Sequence, residues 1–93
     1  MKILKREAFN REFKEILYFI AQDSKTNAKR FKNELIEKVN DLGFMPYKFR
    51  KSIFFHDDNI RDLVFKGYVI VYSIDEQENI ITIIGISKYK ESI

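Results

Sequence analysis

The sequence predicts an α+β domain in which an N-terminal helical hairpin packs on a small antiparallel sheet, in the order β-α-α-β-β-β. Two observations carry this. Two amphipathic stretches with helical spacing occupy the first half of the chain, and strand-like runs fill the stretch from Asn59 to Lys90 in immediate succession. From Tyr68 to Ser87 nearly every residue is β-branched, aromatic or aliphatic. The interruption, Asp75 to Asn79, has the polar composition of a hairpin loop.

Each element follows from its own pattern. Residues 2–5 form a short opening strand. Phe9, Phe13, Ile16, Leu17 and Ile20 then share one helical face, opposite Arg11, Glu12, Lys14 and Glu15, which gives a first helix from Glu7 to Gln22 that stops at Asp23-Ser24. Ser24 or Thr26 caps the second helix, whose apolar stripe is Ala28, Phe31, Leu35, Val39 and Leu42. Gly43 is expected to accept the left-handed conformation past its end, and Pro46 blocks continuation. Met45 to Asn59 reads as a loop with an irregular edge strand. Beyond it Arg61, Leu63 and Phe65 alternate with Ile60, Asp62 and Val64, Lys66-Gly67 turns the chain, and the doubly apolar strand from Tyr68 to Ile74 is central in the sheet.

At 93 residues the chain is one domain that must bury a dense core, and nine Phe and five Tyr supply it. The absence of Cys excludes disulfides, thiolate metal sites and thiol nucleophiles. The amino terminus becomes charged again too soon for a secretory signal, and no apolar run reaches the roughly 20 residues of a membrane span, so a cytoplasmic protein is expected. A net charge of +3 suits an acidic protein partner or weak nucleic-acid attraction.

Catalytic patterns are sparse. His56 is the lone imidazole, and Phe54, Phe55, Asp57 and Asp58 around it form no recognised catalytic spacing. Asp57, Asp58 and Asp62 are weighed as ligands of a hard cation against a turn that solvates its own backbone, and the turn is preferred. No metal, cofactor or catalytic residue is assigned. Gly43, Gly67 and Gly85 are too isolated to cradle phosphate. The basic groups Lys48, Arg50 and Lys51, and Lys88 and Lys90 flanking Tyr89, are equally readable as a phosphate-gripping, base-stacking set and as solubilising charge.

The run Arg61-x-Leu63-x-Phe65-x-Gly67-Tyr68-x-Ile70-x-Tyr72-x-Ile74-Asp75, followed by Ile81-x-Ile83-x-x-Ile86-x-Lys88-x-Lys90, resembles the RelE/ParE superfamily of bacterial type II toxins, and most closely its ParE branch. The upstream helices fit as well. The ribonuclease branch usually places Arg after the Gly-Tyr pair, where this chain has Val69, and a further Arg after the last strand, where it has Tyr89 or Lys90. It also commonly uses a Tyr or His in a C-terminal extension with no counterpart here. In the terminal motif Lys88 replaces His and Lys90 replaces Arg, and lysine cannot reproduce the bidentate fork of arginine.

The ParE resemblance implies a toxin that poisons DNA gyrase by binding it, and a cognate antitoxin whose disordered segment folds across the toxin's apolar surface. Target-binding candidates are Arg50, Arg61, Lys66, Lys88, Tyr89 and Lys90. Phe19, Phe44, Phe54 and Phe55, surplus to the core stripes, are candidates for the antitoxin groove. The alternatives are a ribosome-dependent messenger RNA endonuclease, with Lys48, Arg50, Arg61, Lys66, Lys88 and Tyr89 nearest the scissile phosphate, and a degenerate copy that only binds antitoxin.

Overall fold

The computed structural model describes residues 1–89. Strand β1 (Lys2–Lys5) leads into helices α1 (Glu7–Asp23) and α2 (Lys25–Asp41), followed by β2 (Arg50–Lys51), β3 (Ile60–Phe65), β4 (Tyr68–Asp75) and β5 (Ile80–Lys88). The five strands lie in the order β1-β5-β4-β3-β2, with the doubly apolar β4 at the centre.

Strands β2 to β5 pair antiparallel, but β1 runs parallel to β5, so the sheet is mixed and not wholly antiparallel. The reason is connectivity. A parallel neighbour needs a long crossover, and everything between β1 and β5, including both helices, supplies it. The two-residue β2 is the irregular edge strand expected between Met45 and Asn59.

The helical hairpin forms as its spacing dictates. Ser24 stands between the helices, its Oγ accepting the Asn27 N–H at 3.1 Å and so satisfying one of the orphan donors of α2. Gly43 does not act as a left-handed cap, because among the described residues Gly67 is the glycine with positive φ. What Gly43 provides is room: a Cβ there would lie 3.0 Å from the Met1 carbonyl, while the terminal ammonium donates to the Gly43 carbonyl at 3.1 Å. Its missing side chain lets the amino terminus dock on the end of α2.

The helices cover one sheet face. Phe9 and Phe13 of α1 and Phe31, Leu35 and Val39 of α2 pack with Leu63 and Phe65 of β3, Ile70, Tyr72 and Ile74 of β4, and Ile81, Ile83 and Ile86 of β5. A chain of rings runs through this core, with centroid spacings of 5.5 Å for Phe9–Phe13, 6.4 Å for Phe13–Phe31 and 5.3 Å for Phe31–Phe65. Strand β5 bulges where Val71 faces Gly85 and Tyr72 faces Ile83, and its pairing with β1 ends at Ile83, which leaves the Ile86 amide beyond the reach of β1. Glu12 of α1 takes it: its Oε1 accepts the Ile86 N–H at 3.1 Å.

The β3–β4 turn needs two residues with positive φ, and Lys66 (48°) and Gly67 (83°) supply them, as a tight hairpin requires. No described helix is long and apolar enough to cross a membrane.

Candidate functional site

The irregular chain between α2 and β3 is held at the sheet edge by polar side chains. Arg61 and Asp62 are neighbours on β3, so their side chains leave opposite faces of the sheet. Arg61 shares the helix-covered side with Leu63 and Phe65, and its guanidinium donates to the Asp58 carbonyl at 2.9 Å and to the Phe49 carbonyl at 3.1 Å. The Tyr47 ring lies 4.9 Å from that guanidinium. The Tyr72 hydroxyl adds a third tie, donating to the Pro46 carbonyl at 2.7 Å. Burial pushes this phenol up to about 12, against the opposing pull of the Arg61 charge.

On the other face Asp62 is buried. Its Oδ2 accepts the Ile53 N–H at 3.1 Å and lies 3.5 Å from the Arg50 guanidinium. The other carboxylate oxygen has no partner among the described residues. Arg50 remains 39% exposed and places its guanidinium 5.4 Å from the Tyr89 ring. An arginine held by a carboxylate and lying against an aromatic ring presents its remaining N–H donors in a fixed orientation. Asp57 accepts the Asn59 N–H in the backbone-solvating turn expected of it, and Asp58 pairs with Lys51 at 3.2 Å.

The described target-binding candidates therefore divide between the two sides of the sheet, although Tyr89 follows Lys88 and its N–H donates to the Gly67 carbonyl, beside Lys66, at 2.8 Å. Arg50 and Tyr89 come together. Arg61 is committed to loop carbonyls on the opposite face. Lys66 sits on the β3–β4 turn, 2.7 Å from Glu34 of α2, and the hydrogen bond from Lys66 holds the Glu34 carboxyl below its usual range. Lys88 borders a shallow cleft with Glu12, Glu15 and Phe19 of α1. Lys90 lies outside the described residues.

The four groove candidates are all exposed but sit on three separate stretches. Phe19 is on α1, Phe44 follows α2, and Phe54 and Phe55 lie between β2 and β3. Phe44 is 87% exposed and, with Leu42, Met45 and Phe49, lines a cavity of about 160 Å³ rimmed by Lys38 and Lys48. Sequence reading missed Asp62 as the organising carboxylate. The available signal was an acid between Ile60 and Val64 on an otherwise apolar strand face, where an unpaired charge would be costly.

Comparison with solved structures places this fold beside the RelE toxin of E. coli. The isolated RelE toxin superposes with a TM-score of 0.63 at 16% identity, over 98% of this chain and 86% of that one. RelE structures containing the RelB antitoxin follow. The intact RelBE complex gives 0.57 at 15% identity over 97% and 98% of the two chains, and a doubly substituted RelE bound to a RelB peptide gives 0.57 at 15% over 97% and 84%. At such identities the likeness concerns the fold. No sequence among curated proteins matches the chain. The family model for the ParE toxin of the type II toxin–antitoxin system parDE matches residues 3–93. By that match over nearly its whole length, on a fold shared with RelE, the chain belongs to the ParE toxin family within the RelE/ParE superfamily, and is the toxin type of a type II toxin–antitoxin system.

Proposed function

We propose that this toxin acts by binding DNA gyrase and poisoning it, and that a cognate antitoxin neutralises it by laying an apolar segment over exposed rings such as Phe44, Phe54 and Phe55. The observation that carries the reading is the dispersal of the cations. Cleavage of RNA by its own 2′-hydroxyl needs a proton acceptor, a proton donor and positive charge gathered around one phosphate. Here Arg61 is committed to loop carbonyls, Lys66 forms an exposed ion pair with Glu34 of α2 and Lys88 borders α1. Arg50 instead joins Tyr89 on the opposite side of the sheet, even though Tyr89 follows Lys88 in the chain and its N–H donates to the Gly67 carbonyl at 2.8 Å. A surface of this kind grips a macromolecule through separated points of charge and exposed rings.

Messenger RNA cleavage on the ribosome is the second reading, and the Arg50–Tyr89 pair favours it, since a guanidinium beside an aromatic ring suits a phosphate and its base. Inducible expression in a bacterial host separates the two. Gyrase poisoning produces filamentation, DNA-damage induction and, with purified gyrase, trapped cleaved DNA. Cleavage of transcripts in a reconstituted translating system, with prompt arrest of protein synthesis, would overturn the proposal in favour of the nuclease. Unaffected growth at normal protein levels would reject both.

A further inference from the structure

We infer that Arg61 and Asp62 are positioning residues: together they staple residues 46–58 astride the edge of the sheet and so fix the orientation in which Arg50 is presented. The value of this presentation for a target rests on the toxin reading above, whereas the staple itself is a property of the folded chain. It removes Arg61 from the groups expected to touch a target.

The geometry is specific. Strand alternation sends two adjacent side chains of opposite charge to opposite faces, and each ends on the same segment of chain. Arg61 ties Phe49 and Asp58, two carbonyls far apart along that segment, with one guanidinium, and Tyr47 lies against it. Asp62 ties Ile53 and Arg50 from the other side. Among the described residues the segment's backbone bonds to β3 through β2, through the Ser52 N–H, which donates to the Ile60 carbonyl at 2.8 Å, and through the Asp57 carbonyl, which accepts the Ile60 N–H at 3.0 Å. Phe49 packs against the core, but Tyr47, Ile53, Phe54 and Phe55 are exposed, so the course of the rest of the segment rests on these polar ties.

Asp62 gives the sharper argument. A carboxylate with one oxygen unpartnered is a costly thing to bury, and apolar residues of similar volume in place of such a buried ion pair are often no less stable. An Asp kept for stability alone would be poorly chosen. An Asp kept to hold a cation in place is well chosen, because the charge is what Arg50 answers to.

Hydrogen exchange and NMR on the purified chain test this without any target. In Arg61→Gln the amides of Lys48, Ser52 and Ile53 should exchange at least about tenfold faster, the loss expected for hydrogen bonds to a charged group, while β4 and β5 amides keep their rates. Arg61→Lys, which retains the charge but not the fork, should fall between and provides the readout if Arg61→Gln does not fold. In Asp62→Asn the Ile53 amide should stay protected by the remaining side-chain oxygen, whereas the Arg50 side chain and the Tyr89 ring should both shift toward their unstructured resonances. Three results would overturn the inference: unchanged exchange of these amides in both Arg61 variants, uniform acceleration across the whole domain, or unaltered Arg50 and Tyr89 resonances in Asp62→Asn. Loss of growth inhibition is scored separately, so a chain that proves harmless to cells defeats the toxin reading and leaves the exchange result to decide the staple.

Discussion

The two faces of the sheet solve different problems. The helix-covered face excludes water with a continuous set of aliphatic and aromatic side chains, in which Leu35, Leu63, Ile70, Tyr72, Ile81 and Ile83 are wholly buried. The opposite face and the edge beside β2 carry a buried carboxylate, a cation at its rim and several exposed rings. The first region is redundant, because many dispersion contacts add up and no single geometry decides them. The second depends on a few directed polar ties. The contrast teaches that the helices and central strands hold together by packing, whereas the segment beside β2 is held by polar ties where packing is thin.

Tyr72 belongs to both regions, so it tests the contrast most severely. Its ring lies in the core, while its hydroxyl reaches Pro46 at the head of the stapled segment. Tyr72→Ala should cost about 3–5 kcal/mol against a total of roughly 5–15, leaving a largely unfolded chain by circular dichroism and denaturant titration. A well-folded Tyr72→Ala protein would show that the core tolerates a large cavity at its centre.

The next effect isolates the hydroxyl. The folded-state pKa of Tyr72 is raised from an ordinary 10.0 to about 12, so the neutral phenol is favoured in the native state. Its contribution is complete below pH 10 and is lost as the pH rises through 12, because the unfolded chain releases the proton first. The difference approaches about 3 kcal/mol from the two-unit shift. Denaturation midpoints measured from pH 9 to 12 should therefore fall more steeply for the natural chain than for Tyr72→Phe. Parallel curves would show that the phenol is not held neutral.

A smaller effect concerns the junction between α1 and the bulge in β5. A Cβ at Gly85 would lie 2.9 Å from Glu12 Oε1, the end of a flexible side chain that can swing away only by abandoning the Ile86 N–H. Gly85→Ala and Glu12→Ala should each cost about 1–2 kcal/mol, and the double variant little more than either alone, since both remove the same bond. Additive losses in thermal denaturation would mean that the two residues act independently.

Legibility from sequence follows the same division. The helical stripes from Phe9 to Leu42 and the alternation around Leu63 and Tyr72 reach the core as expected, because burial of large apolar surface is what periodicity encodes. The parallel pairing of β1 escaped, since Lys2 to Lys5 is too short to carry a directional signal and its partner lies at the far end of the chain. Asp62 escaped for a related reason: an acid in a strand reads as exposed until the segment that covers it is in place. The dispersal of Arg50, Arg61, Lys66 and Lys88 is likewise a matter of faces and edges, which composition does not record.

The smallest effect lies at the β3–β4 turn, where two weak preferences oppose each other. Lys66 holds a positive φ of 48°, which favours Asn, yet its ammonium pairs with Glu34 at 2.7 Å. Both partners are substantially exposed, so solvent screening leaves the ion pair little weight and the backbone preference should prevail. Lys66→Asn is therefore expected to match or slightly exceed the natural chain in melting temperature at neutral pH. The folded Glu34 carboxyl titrates below its unfolded value, so whatever the pair contributes is present above that value and disappears as the pH falls through the folded one. Acidification should thus widen the advantage of Lys66→Asn, and added salt at neutral pH should move it the same way. A variant that loses ground at neutral pH and recovers it in acid would show the ion pair outweighing the turn.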